Sequence, residues 1–247
     1  MPLVASSDDA SLSSGCARGR FAVPALAVEA WHTIVARYEA ERLPLGGIGK
    51  RCLDLVVALS ALVVLLPLLL MVSVLIRATM GGPVVFTHES VGFRGRRMRC
   101  YKFRTMVNNS DEVLKARLLC DPSLAGECQE SRQLRTDQRV TALGTILRKS
   151  SIDELPQLIN VIRGEMSCVG PRPVTVEELA RYGQASADYL GTRPGLTGLW
   201  QLSGRNRLSD KQRVALDSRY VNQWSTWADL VIMARTIPAV LSYDETS

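Results

Sequence analysis

Ser151-Ile152-Asp153-Glu154 sets two carboxylates side by side ahead of an apolar run (Leu155, Leu158, Ile159, Ile162), in the pattern of a capping box leading into a helix. Taken alone, such acids complement the macrodipole of a helix N-terminus, and that reading stands beside a catalytic one. Two neighbours favour chemistry. Arg148 and Lys149 lie one helical turn upstream, and Pro156 fixes the chain just after the pair. A helix end also offers free N–H groups to an anion. Adjacent carboxylates at such an end can divide the work: one attacks phosphorus as a nucleophile, and the other holds Mg²⁺, a hard cation usually bound by carboxylate together with substrate phosphates. Arginine and Mg²⁺ would neutralise the phosphate oxygens and the leaving group, so that a carboxylate can approach an anionic phosphoryl group.

Downstream, Gly170-Pro171-Arg172-Pro173 brackets one arginine with two prolines, which suits either a bidentate phosphate clamp or a stiff turn with a solvated guanidinium. Arg193-Pro194-Gly195-Leu196-Thr197-Gly198 and Ser203-Gly204-Arg205-Asn206 repeat the pattern of a Gly-rich turn carrying arginine. Three such turns in under forty residues read better as the lining of a phosphate site than as scattered loops.

These groups need positioning elements, and the charge distribution shows where they gather. The 247 residues carry 30 Lys+Arg against 24 Asp+Glu, a formal net charge of +6. The segment RGRRMRCYKFR holds Arg94, Arg96, Arg97, Arg99, Lys102 and Arg104 with no acid, so this one stretch accounts for the whole excess. It falls among strand-like pieces, VVFTH and MRCYKF, around a turn at Gly92 to Gly95. Beyond it, Asn108 to Ser110 precede a helix start at DEVLKARLL, the stretch 121–138 is polar and loop-like, and Thr141 to Lys149 reads as a helix.

Before the basic segment runs LVVALSALVVLLPLLLMVSVLI, Leu55 to Ile76, 22 residues without a charge or a glycine. As a helix it is about 33 Å long, enough for a hydrocarbon core of roughly 30 Å, and it is apolar all round. Pro67 sits mid-run, so a kink is expected. Lys50 and Arg51 flank one end and Arg77 with the basic segment flanks the other, so the positive-inside rule assigns no orientation to a crossing helix. The rule is satisfied if both ends stay cytoplasmic and the helix bends back, with Ser60 or Ser73 hydroxyls partnering freed backbone. Spanning and re-entry both remain open on the sequence.

Met1 to Gly19 lacks an apolar core of the signal-peptide type and reads as a disordered tail, while Phe21 to Leu43 has a helical apolar pattern. Six Cys without a C-x-x-C pair, and only two His, make no zinc-ligand set and suggest reduced cytoplasmic thiols. Trp200, Trp224 and Trp227, with the apolar run Leu230 to Val240, suit interfacial helices, although core placement of these indoles is the alternative.

The runs KFRTM (Lys102 to Met106), RVTALGTILRKSSIDELPQLINVIRGEMSCVGPRP (Arg139 to Pro173) and RPGLTGLWQLSGRN (Arg193 to Asn206) closely resemble the bacterial sugar transferases, the monotopic phosphoglycosyl transferases. The resemblance covers Ile48 to Leu241 and is nearest to the short members that start exopolysaccharide repeat units. It implies transfer of a hexose 1-phosphate from a UDP-hexose, with galactose or glucose as the expected sugar, to undecaprenyl phosphate, releasing UMP. On that likeness Asp153 is the nucleophile, forming a covalent phosphosugar intermediate, and Glu154 binds Mg²⁺. Lys102, Arg104, Arg148, Arg172, Arg193 and Arg205 then hold the diphosphate, carrier phosphate and nucleotide. The family anchor is a re-entrant helix broken at a Ser-Pro pair, whereas this chain has Leu66-Pro67.

The expected fold is therefore α/β and mainly helical: a tail over 1–45, a kinked, re-entrant anchor helix over 46–80, and a catalytic domain over 81–243 with a small β-hairpin and interfacial amphipathic helices, then a tail over 244–247. Its expected place is the cytoplasmic face of a bacterial inner membrane. Membrane lipids and a second copy in a homodimer are expected partners; nucleic acid is not, because the chain outside the basic run is neutral and carries no reader motif. The competing class is a membrane-tethered adaptor that uses Arg94 to Arg104 only to bind anionic lipid.

Overall fold

The computed structural model describes residues 43–110, 112–114, 137, 139–204 and 208–241, with no side-chain description at 240 and 241. The segments read above as a disordered tail, a helix over Phe21 to Leu43 apart from Leu43 itself, most of the 121–138 loop and the 244–247 tail lie outside these residues, as does all of DEVLKARLL except the helical Glu112 to Leu114.

Helix α1 spans Gly47–Met80, 34 residues, and its helical conformation continues through Pro67. At about 1.5 Å per residue it is about 51 Å long, more than a hydrocarbon core requires. Among the described residues it is the one helix long and apolar enough to cross a membrane. The surplus length is at its polar start, where Lys50 and Asp54 are buried against the rest of the protein: Lys50 pairs with Asp229 at 2.6 Å, and Asp54 accepts hydrogen bonds from Ser167 Oγ and the Cys168 N–H, both at 2.9 Å. Midway, Val63 and Val64 are about three-quarters exposed (73% and 75%), which is compatible with a membrane anchor. The Ser73 hydroxyl donates to the Leu69 carbonyl, a bond of the type that bends helices. Toward its end Val72 and Ile76 are buried and pack on Phe103 and Leu147.

Strands β1 (Val85–Val91) and β2 (Arg97–Phe103) form an antiparallel hairpin with His88 opposite Cys100 and Phe86 opposite Lys102. Alternation along β2 puts Met98, Cys100 and Lys102 on one face. Met98 and Cys100 join the main core with Ala58 of α1, Leu158, Val161, Met166, Tyr220 and Ile232. Helix α2 (Ala142–Lys149) begins at Thr141, whose hydroxyl accepts the Gly144 N–H at 2.9 Å.

The expected capping box at Ser151 is not formed. Ser151 adopts a left-handed conformation (φ 53°) without a side-chain cap, and Ile152–Gln157 is a 3₁₀ segment that passes into helix α3 (Leu158–Arg163). Pro156 explains the difference: it has no N–H for the α-helical ladder, and it disfavours α geometry at Leu155. Capping boxes occur instead at Thr175/Glu178, opening α4 (Val176–Ala180), and at Ser209/Gln212, opening the helix over Asp210–Asn222.

The remaining elements are β3 (Ser167–Val169), α5 (Ser186–Leu190), β4 (Gly195–Thr197), α6 (Leu199–Leu202), α7 (Asp210–Asn222) and α8 (Thr226–Leu241). Strands β3 and β4 pair in parallel. The expectation of a mainly helical α/β chain with one small hairpin and an apolar N-terminal helix matches this architecture.

Candidate active site

The carboxylates come from the 3₁₀ segment, which packs against β2. Asn160, fully buried one turn later in α3, fixes the contact: its Oδ1 accepts the Tyr101 N–H at 3.1 Å, and its Nδ2 donates to the Arg99 carbonyl at 2.7 Å. With strand and segment registered in this way, Lys102 Nζ reaches Glu154 Oε1 at 2.7 Å. Asp153 is 8% exposed beside that pair. Burial pushes its carboxyl up to about 6, the Glu154 charge adding to the shift, while Lys102 and Arg148 pull it down. Burial opposes the Lys102 charge too, yet Glu154 and Asp153 together hold its pKa above the usual lysine range.

Arg148 arrives from the last turn of α2 and donates through Nε to Thr105 Oγ1 at 2.9 Å. This reach depends on Gly144, where an added Cβ would lie 2.0 Å from the Thr105 carbonyl oxygen, so α2 sits closer to the strand exit than any other residue would permit. Arg172 comes from the turn after β3. That turn is tied to the hairpin by a Val91–Val174 bridge, and Arg172 donates its backbone N–H to Asp217 while its guanidinium lies 5.7 Å from the Trp200 ring centroid.

Lys102 and Arg148 lie close enough to Asp153 to shift its titration, and Arg172 lies close enough to Lys102 and His88 to shift theirs. Two of the other arginines are engaged elsewhere. Arg104 donates to the Gly81 carbonyl and to Asn108 Oδ1, clamping the chain where it leaves α1. Arg193 donates through Nε to the Gly164 carbonyl at 2.8 Å, next to Arg51, which holds the Val161 and Ile162 carbonyls. Arg205 lies outside the described residues. The Gly-rich turns also have a packing cause: a Cβ on Gly195 would come within 2.0 Å of the Gly170 nitrogen, so these glycines permit close backbone contact between the β3 and β4 regions.

His88 and Thr105 belong to the site without having been singled out from the sequence. His88 shares a face with Lys102, and burial, then the Lys102 and Arg172 charges, push its pKa down to about 4, so the imidazole is neutral at pH 7. Its role is visible only once the register pairs it with Cys100. Of the three tryptophans weighed above for interfacial placement, Trp200 is buried, Trp224 donates to Asp229 at 3.0 Å, and Trp227 is exposed on α8.

Among the described residues no three His, Cys, Asp or Glu side chains cluster as a self-sufficient metal cage. Two adjacent carboxylates without a thiol do fit Mg²⁺, which takes few protein ligands and completes its shell with water and substrate phosphate.

One long apolar helix stands with a buried aspartate beside a lysine–glutamate pair and an arginine. A family model described as bacterial sugar transferase matches residues 46–243, and the chain belongs to that family. It is 51% identical over 197 residues to an exopolysaccharide production protein ExoY of Sinorhizobium fredii, covering 80% of this chain and 87% of that one. A UDP-glucose:undecaprenyl-phosphate glucose-1-phosphate transferase of Caulobacter vibrioides is 38% identical over 203 residues, 79% of this chain and 70% of that one. An undecaprenyl-phosphate galactose phosphotransferase of Salmonella typhimurium is 45% identical over 195 residues, which are 79% of this chain but only 41% of that longer protein.

Proposed function

We propose that this protein transfers a hexose 1-phosphate from a UDP-hexose to undecaprenyl phosphate, and so starts an exopolysaccharide repeat unit. The observation that carries the reading is the buried Asp153 carboxylate beside a Glu154–Lys102 pair, with Arg148 and Arg172 as further cations. The names of the Caulobacter and Salmonella relatives support the donor and acceptor classes, glucose or galactose for the sugar included.

Asp153 attacks the β-phosphorus of the donor; the bond from that phosphorus to the bridging oxygen breaks, and UMP leaves with the electron pair. A phosphate oxygen of undecaprenyl phosphate then attacks the same phosphorus and displaces the Asp153 carboxylate, yielding the diphosphate-linked lipid. Lys102 holds Glu154 in place and offsets charge at Asp153, keeping the nucleophile ionised near neutral pH against the effect of burial. Arg148 and Arg172 bind phosphoryl oxygens as charge develops. Glu154 would hold Mg²⁺, which would supply further neutralisation of the diphosphate.

The protein sits on one face of the membrane in this reading. Both ends of α1 are fixed to the same catalytic domain, one through Lys50 and Asp54 and the other through Val72, Ile76 and the Arg104–Gly81 contact, which supports re-entry rather than crossing. Basic residues at both ends favour the cytoplasmic side. The test is UMP release from a panel of UDP-sugars by the purified chain with Mg²⁺ and undecaprenyl phosphate. Release from one hexose donor names the substrate, and no release from any donor refutes the transfer.

A further inference from the structure

A hollow of about 500 Å³ lies between the turn of the β1–β2 hairpin and the C-terminal end of α3, and none of its lining residues belongs to the carboxylate centre. Five arginines line it, Arg94, Arg96, Arg97, Arg163 and Arg193, against one acid, Glu165. That acid already accepts a hydrogen bond from Asn160 Nδ2 at 2.5 Å. Burial, and then the neighbouring Arg51 charge, lower the Arg193 pKa, which marks the local excess of positive charge. Guanidinium groups concentrated in a concave wall raise the potential there and draw in a phosphoryl group, which they can grip with paired N–H donors.

The other wall is apolar, built from Leu43, Pro44, Phe93 and Met98. The volume falls within the range of about 300–1,000 Å³ found for organic ligand sites. Met98 is four residues from Lys102 on β2, a separation of about 13 Å, so one phosphate cannot serve the hollow and the carboxylate centre at once.

We propose that this hollow is a second anion site that binds an organic phosphate, with the arginines taking the phosphoryl group and the apolar wall taking the ester's carbon skeleton. Such a phosphate can come from a phospholipid headgroup or from a soluble ester.

The test uses the full chain in phosphatidylcholine nanodiscs with phenyl phosphate as the soluble probe, read by titration calorimetry. A Lys102→Met/Arg172→Met background removes two cations of the carboxylate centre, and one phenyl phosphate site should remain. Adding Arg96→Gln and Arg163→Gln, both exposed side chains, should weaken that site on the order of tenfold or more with an unchanged melting temperature. Arg96→Lys/Arg163→Lys should restore part of the affinity. Loss of phenyl phosphate binding in discs containing phosphatidylglycerol assigns the site to a lipid headgroup, and equal binding in both discs assigns it to a soluble ester. Unchanged affinity in the Gln variant, or no remaining site in the Lys102→Met/Arg172→Met background, overturns the proposal.

Discussion

Lys50 and Asp229 form a buried ion pair of 2.6 Å, which joins the first turn of the membrane helix to α8. Asp229 also accepts the Tyr220 hydroxyl at 2.7 Å and the Trp224 indole N–H at 3.0 Å, so the anchor is fastened to a satisfied polar cluster. Removing one partner of such a pair strands a buried charge, at a cost of about 3–5 kcal/mol. Lys50→Met should therefore lower the melting temperature in detergent by several degrees or more. Lys50→Met/Asp229→Asn, which leaves no charge but keeps an acceptor for Tyr220, should recover part of the loss. A double variant no more stable than Lys50→Met would contradict this account.

Gly144 controls the position of Arg148. In Gly144→Ala the new methyl meets the Thr105 backbone, so α2 must move out and Arg148 must loosen its hold on Thr105. Misplacement near 1 Å costs on the order of 10²-fold in rate. The expected result is a fall in kcat of that order with a smaller change in secondary structure by circular dichroism; wild-type turnover would disprove the link.

The Asp153 carboxyl, raised to about 6, must be ionised to attack phosphorus. For the free enzyme, kcat/KM should fall as pH drops through about 6. Lys102→Met removes a charge that pulls this value down and leaves Glu154 unneutralised, so the acid limb should move to higher pH as well as losing amplitude. A limb that stays fixed would separate Lys102 from the nucleophile.

Asp217 gives a stability prediction of its own. Burial raises its carboxyl to about 7, against hydrogen bonds from the Tyr182 hydroxyl and the Arg172 N–H. A carboxyl raised in the folded state binds protons more readily there than in the unfolded chain. Its contribution is thus present at low pH and lost as pH rises through about 7. Melting temperatures measured from about pH 5 to about pH 8 should fall less steeply for Asp217→Asn than for the parent chain.

Local pattern made several elements legible. The apolar run Leu55 to Ile76 marks α1, and the strand pieces on either side of Gly92 to Gly95 become β1 and β2. The burial at the start of α1 was not legible, because Lys50, Arg51 and Asp54 look like solvated flanks; Lys50 and Asp54 are buried and Arg51 half-buried only through partners more than a hundred residues away. At the site, residue types in order single out the Asp153–Glu154 pair and the cations Lys102 and Arg148 that act on Asp153. They do not show the helix type at Ser151, since the capping-box pattern is overridden by Pro156. Nor could spacing show that Arg104 and Arg193 hold backbone carbonyls, because a guanidinium near a phosphate motif and one on a helix end have the same local sequence.

The central claim is that Asp153 carries the phosphosugar. Intact-protein mass spectrometry of the chain incubated with UDP-hexose and Mg²⁺, with undecaprenyl phosphate withheld, tests it most directly. The account predicts a mass increase of one hexose phosphate, located on Asp153, absent in Asp153→Asn and discharged when undecaprenyl phosphate is added. Turnover of the complete reaction by Asp153→Asn, or an adduct on any other residue, would contradict it.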